Sequence, residues 1–309
     1  MSLRLRLLNG VLRRAVKPRL SATKTPAQAE REFDRATRAV LRVPRGARVD
    51  VREVPGPARP LRVTRVLGPA VPGDGLVLHF HGGGYVAGSA LTHLGLLVRL
   101  SAGAGVPVDA PDYRLAGEAP GSAAFADACA AWVALMQEGW APGRIVLGGD
   151  SAGGGIALAL LARLCAKGTP PAGLYAFSPW VDLTLSGASL AENATADPLL
   201  PAARLSELVA AIRGDLPAGD PRLSPLFAAF PGAPPVLLQA GRTEILRDDA
   251  LRMAARLEAE GAAVRLGLWP DTPHVVQIFG DWLPEAREAR ADAAAFVRRC
   301  LQTDAPARR

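Results

Sequence analysis

The sequence predicts an α/β fold, a mostly parallel sheet with helices on both faces. Short apolar runs recur from about residue 49 onward, and helix-period stretches separate the later ones. Alternation of this kind joins parallel strands through crossovers. The first two runs have no helix between them, which predicts an antiparallel hairpin at one edge.

The strand candidates lie at residues 48–54, 61–67, 76–81, 106–110, 144–148, 174–178, 235–240 and 264–269. Helical patterns occupy 91–104, 122–137, 152–167, 248–260 and 284–300. Residues 183–231 break the rhythm: they are rich in Pro, Gly and Ala, with one helical piece near 202–212, and read as an insertion between two sheet strands.

Ahead of the sheet, Leu3, Leu7, Leu8, Val11, Leu12 and Ala15 recur at three- and four-residue spacing, with Arg6, Arg13, Arg14 and Lys17 mostly opposite. Pro18 ends or kinks that helix, and a second runs from about Pro26 to Arg42 behind Thr25 as its N-cap. Arginines interrupt every apolar run here, so no signal peptide is expected. No run approaches the length of a membrane-spanning helix. The apolar face is expected to pack on the rest of the protein with its arginines solvated, and membrane contact is not expected.

The net charge of +7 is unevenly placed. Residues 1–65 hold 17 Lys/Arg against 5 Asp/Glu, whereas residues 66–309 hold 19 against 24. The basic segment has a single aromatic residue, Phe33, which argues against base stacking and a nucleic-acid partner. Cys129, Cys165 and Cys300 have no metal-type spacing and read as reduced, buried thiols of a cytoplasmic protein.

Chemistry concentrates in three places. Gly149-Asp150-Ser151-Ala152-Gly153 falls between a strand and a helix, the context of a nucleophile elbow. Small residues are needed on both sides of so tight a turn, and the helix N-terminus beyond it favours developing negative charge. His81-Gly82-Gly83-Gly84-Tyr85 follows another strand; the amides of Gly82, Gly83 and Ala152 are the candidate oxyanion donors, and His81 is expected to fix the loop. No Lys-Ser/Thr follows these glycines, which argues against a phosphate cradle. Among the four histidines only His274 comes after the nucleophile, in the loop where the order Ser…acid…His places the base. Glu244, Asp248 and Asp249 are the candidate acids; Glu244 is preferred because the aspartates suit the N-cap and first turn of a helix.

The pairing of HGGGYVAGS (81–89) with GDSAGGG (149–155) resembles the hormone-sensitive-lipase-type, or bacterial family IV, carboxylesterases of the α/β-hydrolase fold. The resemblance extends through Asp112–Leu115, Ser178–Leu183, Asp197-Pro198 and Trp269–His274. It implies an eight-stranded, mostly parallel sheet with a helical cap. The cap would comprise residues 1–45 and 184–231, and the catalytic domain 46–183 and 232–309. Two departures stand out. The family acid is usually Asp, and Ala116–Pro120 lacks the usual Pro-Glu-His-Pro pattern, which puts the rigidity of that loop in question.

The implied activity is hydrolysis of short-chain acyl esters through an acyl-enzyme, with Ser151, His274 and Glu244 as the triad. No metal or organic cofactor is required. The expected partner is a small-molecule ester or lactone, and the resemblance allows a homodimer through the sheet edge. Lactone hydrolysis and a membrane-peripheral lipase are the alternatives.

Overall fold

The computed structural model describes residues 1–302 apart from 24, 41, 42, 70 and 72. Its strands are β1 (Arg48–Val54), β2 (Leu61–Leu67), β3 (Leu76–Phe80), β4 (Val108–Pro111), β5 (Ile145–Asp150), β6 (Gly173–Phe177), β7 (Val236–Gly241) and β8 (Val264–Trp269). They form one eight-stranded sheet in the order β1-β2-β4-β3-β5-β6-β7-β8. The β1–β2 and β2–β4 pairs are antiparallel, and every other pair is parallel. The edge hairpin and the parallel body are thus where the sequence pattern puts them.

The helices are α1 (Leu3–Val11), α2 (Lys17–Ala22), α3 (Pro26–Val40), α4 (Leu94–Ala104), α5 (Ser122–Gln137), α6 (Ala152–Ala166), α7 (Ser189–Glu192), α8 (Leu205–Arg213), α9 (Arg247–Ala259) and α10 (Pro284–Gln302). A π-turn at Leu12–Val16 joins α1 to α2, so Pro18 falls in the first turn of α2, where its missing N–H costs nothing, and the helix continues past it. Thr25 caps α3, its hydroxyl accepting from the Gln28 amide at 3.2 Å.

Two cores sandwich the sheet. Leu135 of α5, Ile156 and Leu160 of α6, and Met253 and Leu257 of α9 cover one face. Leu96, Leu97 and Leu100 of α4 and Phe296 and Val297 of α10 cover the other. Every residue of β5 is buried, as a central parallel strand requires. A third, smaller cluster seats Leu5, Leu8 and Leu12 against Val276, Phe279 and Leu283, which fixes the N-terminal helix next to the His274 loop. Each such buried leucine contributes about 2 kcal/mol.

The edge hairpin is also held by charge. Arg65 makes two bonds to the buried carboxylate of Asp109, at 2.7 and 2.8 Å, and Arg52 adds a third at 2.7 Å. Part of the N-terminal positive charge is therefore consumed inside the fold. Among the described residues no disulfide forms; Cys165 and Cys300 are buried as expected, whereas Cys129 is only half-buried.

Candidate active site

The turn from β5 into α6 sets Ser151 at φ 52°, ψ −123°, a conformation rarely adopted by a residue with a side chain. Holding it there costs of the order of 1–3 kcal/mol. The surroundings over-determine it: the Ser151 amide donates to the Phe177 carbonyl at 2.8 Å, and the Trp180 amide donates to the Ser151 carbonyl at 3.0 Å. The flanking glycines are obligatory. A Cβ on Gly149 would lie 2.3 Å from the Gly153 carbonyl oxygen, and one on Gly153 would lie 2.1 Å from that of Phe80.

Across from the elbow, the glycine loop after β3 lies close against Asp150. A Cβ on Gly82 would come within 2.3 Å of its carboxylate, and Gly83 has φ 124°. Among the described residues, none accepts a hydrogen bond from the amides of Gly82, Gly83 or Ala152. His81 hydrogen-bonds through Nδ1 to the Gly82 carbonyl at 2.8 Å and stacks on Tyr113, whose hydroxyl donates to the His81 carbonyl at 2.7 Å. Burial pushes the His81 imidazole down to a pKa of about 3, so it is a neutral part of the loop's scaffold. The 116–120 loop is also fixed. The Ala116 amide donates to the Tyr85 carbonyl at 2.7 Å, and the Leu115 amide donates to the Glu118 carboxylate at 3.1 Å.

His274, in the loop after β8, lies with its Nδ1 2.7 Å from Glu244 Oε2, in the loop after β7. Burial pulls this imidazole down, but the hydrogen bond and negative charge of Glu244 outweigh it and raise its pKa above the ordinary 6.5. Asp248 and Asp249 point elsewhere. Asp248 accepts from the Ser189 amide at 2.9 Å and pairs with Arg247. Asp249 accepts from the Val181 and Asp182 amides at 2.8 and 3.1 Å. Both sit in the first turn of α9, but Leu246 occupies its N-cap, so neither aspartate has the capping role the sequence suggested.

Ser151, His274 and Gly83 open onto one cavity of about 370 Å³. Leu12, Val16 and Leu20 wall it from the N-terminal helices, and Leu199, Leu205 and Leu208 from the insertion after β6. Residues 77–278 match the family model described as alpha/beta hydrolase fold. An esterase of Acinetobacter venetianus is 38% identical over 250 residues, covering 77% of this chain and 81% of that one. An acetyl-hydrolase of Streptomyces hygroscopicus is 39% identical over 223 residues, covering 72% and 75%. A crystal structure of an esterase from the bacterial hormone-sensitive lipase family superposes with a TM-score of 0.90 at 36% identity, over 97% of this chain and 99% of that one. The chain belongs to the hormone-sensitive-lipase-type carboxylesterases of the α/β-hydrolase fold. It is a hydrolase.

The candidate site holds further residues that sequence reasoning passed over. Ser178, at φ 45° just after β6, donates from its hydroxyl to Glu244 Oε1 at 2.8 Å and accepts from the Val275 amide at 3.1 Å. It ties Glu244 to the loop that carries His274. Asp150, one residue before Ser151, is buried between His79 Nε2 at 3.1 Å and His93 Nε2 at 3.3 Å. Burial pushes its carboxyl up, but the charge of His93 and the hydrogen bonds from both imidazoles win and hold its pKa below the ordinary range. Three histidines before Ser151 were the available signal, since buried imidazoles need partners.

Proposed function

We propose that the enzyme hydrolyses carboxylic esters with short acyl chains through a serine-bound acyl intermediate. The observation that carries this reading is the 2.7 Å Glu244–His274 contact opening on the same cavity as the strained Ser151. Glu244 engages Nδ1, which leaves Nε2 of His274 as the proton acceptor.

In the first half-reaction Ser151 Oγ attacks the ester carbonyl as His274 Nε2 takes its proton. The developing oxyanion is held by the amides of Gly82, Gly83 and Ala152, with each donor worth about 3 kcal/mol in the transition state. His274 then protonates the departing alcohol, and the acyl group stays on Ser151. Water then attacks the acyl carbon as His274 takes its proton; the bond to Ser151 Oγ breaks, Oγ regains a proton from His274, and the acid leaves. Glu244 holds the tautomer and balances the imidazolium charge.

Residues 1–45 and 184–231 act as a cap that encloses the acyl group, a division supported by their leucines in the cavity wall. The volume of 370 Å³ is near the lower end of the roughly 300–1,000 Å³ of ligand pockets, which favours short chains. A related esterase, 30% identical with a TM-score of 0.88 over 97% of this chain and 99% of that one, has a crystal structure soaked with p-nitrophenyl butyrate, a suitable probe. A pre-steady-state burst of p-nitrophenol, absent in Ser151→Ala, is the expected result. Full turnover by Ser151→Ala overturns the reading.

A further inference from the structure

We infer that the outer face of α1 is a docking surface for an anionic lipid leaflet. The helix is apolar on two sides, and only one is used by the fold. Its inner stripe, Leu5, Leu8 and Leu12, is buried against Val276, Phe279 and Leu283. Leu3, Leu7 and Val11 repeat every four residues on the other side and are 70%, 63% and 58% exposed, with Met1 at 63%. The core is complete without them. Three leucine-sized groups in a row on one exposed helix face are not scattered surface residues.

The charge around this stripe differs from that of the edge hairpin. Between residues 1 and 22 stand Arg4, Arg6, Arg13, Arg14, Lys17 and Arg19, with no acid. Those that bond do so to neutral carbonyls: Arg4 to Trp282 at 2.6 Å, Arg13 to Ala196 at 2.8 Å and Lys17 to Asp197 at 2.7 Å. Among the described residues no carboxylate pairs with any of the six. By contrast, Arg52, Arg59, Arg62 and Arg65 all pair with acids of the body. Glu285, at the start of the helix, is bound to Ser2 at its N-cap. Trp282 stands half-exposed beside Arg4, the kind of residue that sits at a lipid headgroup boundary.

An apolar stripe flanked by unneutralised cations matches a helix lying in the plane of an anionic interface. A second copy of this chain fits poorly, because face-to-face pairing would oppose two sets of six cations. The same helical segment walls the cavity with Leu12, Val16 and Leu20, so docking sets the cavity beside the lipid. This departs from the expectation that the helix makes no membrane contact, and it does not depend on the assignment of the triad.

The test is flotation of the full chain with vesicles of phosphatidylcholine containing roughly one-third phosphatidylglycerol, against pure phosphatidylcholine. Binding to the anionic vesicles alone, weakened by salt, is expected. Leu3→Gln/Leu7→Gln/Val11→Gln, checked to melt with the wild type, lowers partitioning about tenfold or more. Arg6→Gln and Arg14→Gln each lower it about fivefold. Three results overturn the proposal: no binding of the full chain to anionic vesicles, undiminished binding by the triple variant, or a wild-type dimer in light scattering that the triple variant converts to a monomer.

Discussion

Two imidazole–carboxylate assemblies flank Ser151, and they differ in what their nitrogens are left to do. His79 contacts Tyr175 Oη through Nδ1 at 2.9 Å and Asp150 through Nε2 at 3.1 Å. His93 reaches Thr92 and Ser89 through Nδ1 and Asp150 through Nε2. Every ring nitrogen of that pair is committed. His274 commits only Nδ1, to Glu244, and lines the cavity. The protonation tendencies separate likewise: burial lowers the pKa of His79 despite Asp150, whereas Glu244 raises that of His274 despite burial. One carboxylate shared between two saturated imidazoles makes a scaffold. One carboxylate devoted to a single imidazole with a free nitrogen makes a base in the proposed reaction.

The comparison is most directly broken by kinetics. His274→Asn is expected to lower kcat about 10⁴-fold with little change in Tm, because removing the base of a triad leaves the fold intact. His79→Asn is expected to do the reverse, lowering Tm far more than the rate per folded molecule. Equal rate losses in the two variants erase the distinction.

Next in size is the stability carried by Asp150. Asp150→Ala leaves two buried imidazoles without their common acceptor and is expected to cost about 3 kcal/mol. At roughly 2.1 cal/mol/K of unfolding entropy per residue, that is a Tm decrease of roughly 5 °C. A calorimetric Tm within a degree of wild type removes Asp150 from the scaffold. The direction with pH follows from its depressed pKa. The stabilisation is present above the unfolded value of 3.8 and is lost as the pH falls through the lower folded value.

The contrast between the two assemblies also marks what could be read from sequence. The strand–helix rhythm placed all eight strands within a few residues: β3, β5, β6 and β7 are buried throughout and read as largely apolar runs, and the more exposed β1, β2 and β8 still stand out between turn residues. Ser151 and the glycines announced themselves by local motif, since a positive φ and absent Cβ atoms are demands made within five residues. Glu244 was separable from Asp248 and Asp249 only by preference; the structure sets it against His274 and sends the aspartates to Ser189, Val181 and Asp182. The partners in the Asp150 cluster and around Ser178 could not be assigned for a different reason. Their contacts join residues 57 to 97 positions apart in the chain, and no local pattern encodes such a pairing.

Ser178 offers a smaller, sharper test of how the His274 assembly is held. Its hydroxyl bridges Glu244 and the Val275 amide, so it acts on the reaction only through the position of the pair. Ser178→Ala is expected to lower kcat about tenfold, the equivalent of one hydrogen bond to a charged group, with KM unchanged. A rise in KM at constant kcat points to the pocket instead.

The smallest effect is read without turnover, from the titration of the imidazole protons by NMR. His274 takes its proton more readily than an unperturbed histidine, so its resonance is expected to shift with a midpoint above 6.5. The hydrolytic rate, which needs the neutral ring, falls as the pH drops through that midpoint. The same raised pKa stabilises the fold below 6.5, and that contribution is lost as pH rises through the folded value. His79 and His81 have the opposite sign: the unfolded chain takes up protons below 6.5 that the folded chain refuses, so their share of stability declines on acidification. The His79 resonance is expected to titrate below 6.5, and that of His81 to stay in the neutral position until the pH approaches about 3. In Glu244→Gln the adjacent counter-charge is gone, burial outweighs the smaller pull of the Asp197 and Asp150 charges on His274, and its midpoint is expected to fall below 6.5 toward the behaviour of the buried pair. A midpoint that stays above 6.5 in that variant separates the basicity of His274 from Glu244 and dissolves the contrast between the two assemblies.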